Sequence, residues 1–159
     1  WVDWTLNEQQ QRLLQFAKAC LRLRREQPVL QRRNFFLGST LEDSQFHDLA
    51  WFRPDGKEMG PGDWAQPSFR CLGWFLGGDA IGARGPDGRK VVGPSLLSYI
   101  NAHADAVDLV LPDPSWGEGW EVVLESAGEP RAIKGLRPGE KLSLPGRSLI
   151  VMQQLAKAV

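Results

Sequence analysis

The sequence predicts a mainly β protein: an antiparallel β-sandwich preceded by one long α-helix. Three observations carry that expectation. Only one long stretch, near the start, has helical periodicity. The rest of the chain is a series of short strand-like segments separated by Gly/Pro turns. The length, 159 residues, suits one domain, or one domain and a piece of another.

The helix is expected from Thr5 to about Glu26. Thr5 and Glu8 have the spacing of a capping box, in which the hydroxyl accepts from a free first-turn N–H and the Glu reaches back. Leu13, Phe16, Ala17, Cys20 and Leu21 follow the pattern of one buried stripe. Arg22, Arg24 and Arg25 complement the negative end of the helix dipole. Pro28 then forces Gln27 out of helical geometry.

A basic–apolar connector, 29–36, leads to a strand-like run, 45–52, rich in aromatic residues. Pro54-Asp55-Gly56 is a turn, because Pro presets one dihedral and Gly accepts positive φ. An ordered Gly/Pro loop carrying Trp64 spans 59–67, and Arg70–Leu76 reads as a buried strand. After a turn-rich stretch, 79–93, a hairpin is expected from Leu96–Asn101 and Ala106–Leu111, with its corner at Ala102–Ala104. Further strands are expected at 120–124, 141–144 and 148–152, for about seven or eight in all. Gln153 to Val159 lack a pattern and are expected to fray.

Nineteen basic residues balance nineteen acidic ones, so no net charge attracts nucleic acid or an anionic membrane. No apolar run reaches the roughly 18 residues of a membrane span, and no signal-peptide pattern opens the chain. Cys20 and Cys71 lack a CxxC or His partner, so both are expected as buried free thiols of a cytoplasmic protein, with neither metal nor cofactor. The start at Trp1, without Met and just ahead of a helix cap, suggests a cut inside a longer protein.

Three stretches carry a family resemblance: Trp1-Val2-Asp3-Trp4-Thr5-Leu6, Arg24-Arg25-Glu26-Gln27-Pro28-Val29-Leu30 and Trp51-Phe52-Arg53-Pro54-Asp55-Gly56-Lys57-Glu58-Met59. With Asp63-Trp64, Ile100-Asn101-Ala102-His103, Leu109-Val110-Leu111-Pro112 and Leu144-Pro145-Gly146-Arg147, they cover nearly the whole chain. The sequence resembles the C-terminal region of bacterial isoamylase-type glycogen-debranching enzymes, in the α-amylase superfamily (glycoside hydrolase family thirteen). The resemblance implies that residues 1–28 are the last helix of a (β/α)8 catalytic barrel and 29–159 its C-terminal β-sandwich domain. The parent would hydrolyse α-1,6 branch linkages of glycogen or limit dextrin. Its catalytic carboxylates would lie upstream, at the C-terminal ends of barrel strands. This portion is then expected to support the barrel of the same polypeptide through the Leu13, Phe16, Ala17, Cys20 and Leu21 face, and to be inactive alone. Without the barrel, the helix is expected to fold onto its own sandwich or to self-associate.

Other chemistry is weakly signalled. Asp105 with Asp108, and Glu118 with Glu121, are nominal carboxylate pairs, but no motif places either in a cleft. His47 and His103 each have an Asp nearby, without a nucleophile motif. Gly77-Gly78 and Gly82-Ala83-Arg84-Gly85 are Gly-rich but lack the strand–loop–helix context of a phosphate cradle. The seven tryptophans are more informative, because indoles pack on the C–H faces of sugars. Trp51 and Trp74 are expected in the core. Trp64, Trp116 and Trp120 lie in or beside loops and have two readings: a glucan-binding platform, which would make the chain an accessory binding module, or plugs that close the sandwich or meet the barrel.

Overall fold

The computed structural model describes residues 1, 4–41, 44–128 and 133–156. One α-helix, α1 (Glu8–Glu26), precedes eight strands: β1 (Leu49–Phe52), β2 (Cys71–Leu76), β3 (Leu96–Asn101), β4 (Val107–Val110), β5 (Trp120–Glu125), β6 (Lys134–Leu136), β7 (Lys141–Leu144) and β8 (Ser148–Gln154). They form two antiparallel sheets, one of six strands in the order β1-β2-β3-β8-β5-β6 and one of two, β4-β7. The expected β class with a leading helix is present.

The helix starts later than Thr5. Asn7 is the cap: its Oδ1 accepts from the Gln10 N–H and Gln10 Oε1 accepts from the Asn7 N–H, each at 2.9 Å. Asn-x-x-Gln thus makes the capping box expected of Thr5 and Glu8, since an amide oxygen serves as well as a hydroxyl at this position. The helix ends as expected, with Gln27 extended and Pro28 opening a single 3-10 turn that buries Val29. The Gln27 side chain donates to Gln153 Oε1 at 2.6 Å, tying the end of α1 to β8.

The buried stripe is also shifted. Phe16, Ala19, Cys20 and Leu23 pack on Leu76, Leu96, Leu124 and Val151 of the large sheet. This set keeps the i, i+3, i+4, i+7 spacing of one helix face. Leu13 and Leu21 are instead 67% and 68% exposed, and Ala17 between them is exposed too. The helix does fold onto its own sheet, but of the five predicted stripe residues only Phe16 and Cys20 take part.

On the opposite face of the large sheet, alternate residues Phe52, Phe75, Leu97, Tyr99, Ile150 and Met152 meet Leu109, Leu142 and Leu144 of the small sheet in one core. The alternation of faces follows from the period of two along a strand. Gly73 sits opposite Tyr99 in this layer, and a β-carbon there would strike the phenol ring.

The predicted 96–111 hairpin does not form, although both of its strands exist. β3 pairs with β2 and β8, while β4 pairs with β7 in the other sheet. Asn101 makes the corner: its Nδ2 donates to the carbonyls of Asp105, Leu144 and Pro145 at 2.9, 3.2 and 3.1 Å, and its Oδ1 accepts from the His103 N–H. Those bonds turn the chain out of the large sheet and hold it beside the β7–β8 turn. β8 runs two residues beyond the predicted strand, to Gln154, so Gln153 and Gln154 are paired backbone; residues 157–159 lie outside the described residues.

Candidate functional site

Two surfaces are built from the residues singled out by sequence. The first is the outer side of α1. Leu13, Ala17 and Leu21 stand four residues apart, one above the other, on a helix whose neighbouring row is committed to the sheet. Between α1 and β5 runs an open groove of about 1120 Å³ with a mixed lining, apolar at Leu13, Phe16 and Leu124 and charged at Glu8, Arg12 and Glu125. Of the five predicted helix-face residues, Phe16 and Cys20 therefore meet the chain's own sheet. Leu13, Ala17 and Leu21 present an apolar row to the outside.

The second surface concerns the tryptophans. Trp120 is fully buried, with its ring 6.3 Å from that of Phe75. Trp116 is partly buried and stands edge-on to Phe52 at 5.0 Å, Phe75 at 5.2 Å and His47 at 6.0 Å. The exposed platform of Trp116 and Trp120 does not form. Trp120 opens strand β5, where a strand was expected, and the intervening Gly117 lets the chain pass so close that a β-carbon would lie 2.7 Å from the Trp120 ring. Trp51 and Trp74, expected in the core, are half-buried and face each other across β1 and β2.

Of the three loop candidates, Trp64 is the exposed one, at 54%. It sits in a single 3-10 turn, Asp63–Ala65, edge-on to Trp51 at 5.6 Å and 84°. Asp63 holds this turn: its Oδ2 accepts from the Gly60 N–H at 2.9 Å and its Oδ1 faces Arg53 Nη1 at 3.4 Å. Arg53 also pairs with Asp55, and hydrogen bonding to the guanidinium holds the Asp55 carboxyl below the usual carboxylate range.

The remaining candidates have structural partners or lie on open surface. Asp105 and Asp108 are exposed, and Glu121 pairs with Lys134 at 3.3 Å. His47 bridges Thr40 and packs on Trp116, whereas its neighbour Asp48 turns away to bind Arg32. Gly77 and Gly78 are a close-packed crossing. A β-carbon on Gly77 would meet the His47 carbonyl, and one on Gly78 the Gly93 carbonyl. Both cysteines are free, and burial pushes the Cys71 thiol up to about 11. Among the described residues, no three His, Cys, Asp or Glu side chains gather in a way that would hold a metal ion. Nor is any helix there long and apolar enough to cross a membrane.

The fold defines a mainly β domain of two antiparallel sheets with one N-terminal α-helix. Residues 48–153 match the family "Isoamylase, C-terminal". The chain is 34% identical over 156 residues to the glycogen operon protein GlgX homologs of Mycobacterium tuberculosis and Mycobacterium bovis, covering 97% of this chain and 22% of each relative. A Flavobacterium isoamylase is 24% identical over 157 residues, covering 97% of this chain and 19% of its own. Among solved structures, an Anoxybacillus pullulanase complexed with maltotetraose shares the fold. The TM-score is 0.54 at 13% identity, over 97% of this chain and 17% of the pullulanase. The chain thus spans about a fifth of the length of these curated relatives. It belongs to the isoamylase/GlgX-like C-terminal domain family, of the glycoside hydrolase family thirteen-related glycogen-debranching group. By its family match it is consistent with the C-terminal accessory domain of such an enzyme.

Proposed function

We propose that the chain supports the catalytic barrel of a cytoplasmic debranching enzyme that hydrolyses α-1,6 branch linkages of glycogen or limit dextrin. In this reading residues 1–28 are the last barrel helix and 29–159 a C-terminal β-sandwich domain. The observation that carries it is the division of α1 into two apolar rows. Phe16, Ala19, Cys20 and Leu23 grip the sheet, while Leu13, Ala17 and Leu21 face outward. A helix with a second apolar row beside the one that grips the sheet has surface left to meet another packed body. The curated relatives, of which this chain spans about a fifth, supply the idea of a larger upstream body.

The support is energetic rather than chemical. Apolar area removed from water contributes about 25 cal/mol per Å², so the outer row stabilises whatever body covers it. The test is debranching of a limit dextrin by the longer protein with and without residues 29–159, together with the melting of each form. Early melting or insolubility of the shortened form is the expected result. A shortened form that melts and debranches like the intact one would sink the proposal.

A further inference from the structure

The outer face of the large sheet is apolar from its β1 edge to β8, and α1 covers only part of it. Residues alternating with the core-facing Phe52, Phe75, Tyr99 and Ile150 stand on this face. They line up in adjoining registers, Trp51–Trp74–Ser98–Val151 and Leu72–Ile100–Leu149. α1 packs on Leu76, Leu96, Leu124 and Val151. Beyond these lie Trp51, Leu72, Trp74 and Leu149, which stay half-buried, and Ile100, which is 42% exposed. Trp64, edge-on to Trp51, adds a third indole to this corner.

A sheet face that stays in water alternates polar residues with its buried ones. The outward positions of β1, β2, β3 and β8 instead hold no charged residue. Their polar members are Ser98, which is buried, and Gln153, which is tied to Gln27. Contiguous apolar surface rich in tryptophan is the composition of a protein-docking patch. With no charge on these strands to pair with, the matching surface is itself apolar. What adjoins the corner identifies the body that bears it. The cluster beneath α1 continues into Trp74 and Leu149, so a body that meets the outer row of α1 and reaches past the helix comes down here. The curated relatives extend well beyond the fifth of their length that this chain spans.

We infer that the corner formed by Trp51, Trp64, Leu72, Trp74, Ile100 and Leu149 is a second docking surface, beside α1, for an apolar face of the rest of the longer polypeptide. The inference rests on the support role proposed above and deepens it: the contact is carried by the sheet as well as by the helix.

The experiment compares the 159-residue protein with the longer protein by hydroxyl-radical footprinting, read residue by residue in a mass spectrometer. Expected is severalfold lower oxidation of Trp64, Trp74 and Ile100 in the longer protein. In parallel, Ile100→Glu is introduced into both. The 159-residue variant should melt close to its wild type, because Ile100 is exposed there, whereas the longer variant should melt early. Equal oxidation of the three residues in the two proteins would overturn the surface, as would a longer protein indifferent to Ile100→Glu. So would protection already present in the 159-residue protein and lost on dilution, which would assign the face to a second copy. Footprinting needs no variant, so an Ile100→Glu protein that failed to fold would leave the test intact. Failure here leaves the support role standing, since that role is read from removal of residues 29–159.

Discussion

Arg32 and Asp48 form an ion pair almost sealed from solvent, with Nη2 and Oδ2 2.8 Å apart and side chains 4% and 0% exposed. Neither charge is left short of partners. Asp48 also accepts from the backbone N–H groups of Leu37, Gly38 and Ser39, and Arg32 donates to the carbonyls of Asn34, Phe35 and Ala80. The guanidinium lies 4.6 Å over the Phe36 ring. The pair is the hub on which the connector between the helix and the first strand is wound.

Removing one partner from such a pair strands a buried charge, which costs about 3–5 kcal/mol. Asp48→Ala is expected to lower stability by that order in urea titration. Asp48→Asn, which keeps the shape and one acceptor oxygen but leaves Arg32 uncompensated, should recover only part of it. A loss within about 0.5 kcal/mol for Asp48→Ala, as is usual for surface sites, would show the hub to be dispensable.

The two rows of α1 predict opposite behaviour in the isolated chain. Phe16→Ala removes a half-buried ring packed on the large sheet and is expected to cost about 1–2 kcal/mol in thermal or urea unfolding. Leu13→Ser and Leu21→Ser, on the outer row, should stay within about 0.5 kcal/mol. Equal losses from both rows would mean that the outer row is covered by something within the chain.

Cys71 sets a pH dependence. Burial raises its folded-state value to about 11 from an ordinary 9.0, so the folded protein holds a proton that the unfolded chain releases. Stability contributed by the neutral thiol is complete below pH 9 and falls as pH rises toward 11. Burial of Tyr99 pushes its phenol upward too, extending the loss at still higher pH. Unfolding free energy measured from pH 8 to 11 should decline, and Cys71→Ala should flatten the lower part of that slope. A flat wild-type profile would contradict the assignment.

Much of the fold was legible in the residues, for reasons that also mark the limit. Lys141–Leu144 alternates exposed and buried residues, and α1 ends where Pro28 requires; both signals are local and strong. The helix stripe misled because two overlapping apolar rows satisfy helical spacing, and only the sheet beneath selects Phe16, Ala19, Cys20 and Leu23. The hairpin failed because adjacency in sequence favours pairing, whereas the Asn101 side-chain bonds commit β3 and β4 to different sheets. β6 was missed because Lys134-Gly135-Leu136 is three residues long with a positive φ at its centre, so it carries no strand propensity. Sequence placed Trp120 at the start of its strand but left platform and plug both open, because burial at a strand end leaves no periodic trace. Of the three loop-side indoles, Trp64 is the exposed one.

The order β1-β2-β3-β8-β5-β6 places the latest strand at the centre of the large sheet. Until residues 148–154 are available, β1–β3 and β5–β6 are two separate ribbons, each with an open edge that β8 alone closes. On a ribosome, these ribbons wait side by side with unpaired backbone, the condition in which a sheet recruits foreign strands. The large sheet is therefore complete only once residues 148–154 join it, and a chain ending before residue 148 is expected to lack the fold rather than to form a smaller version of it.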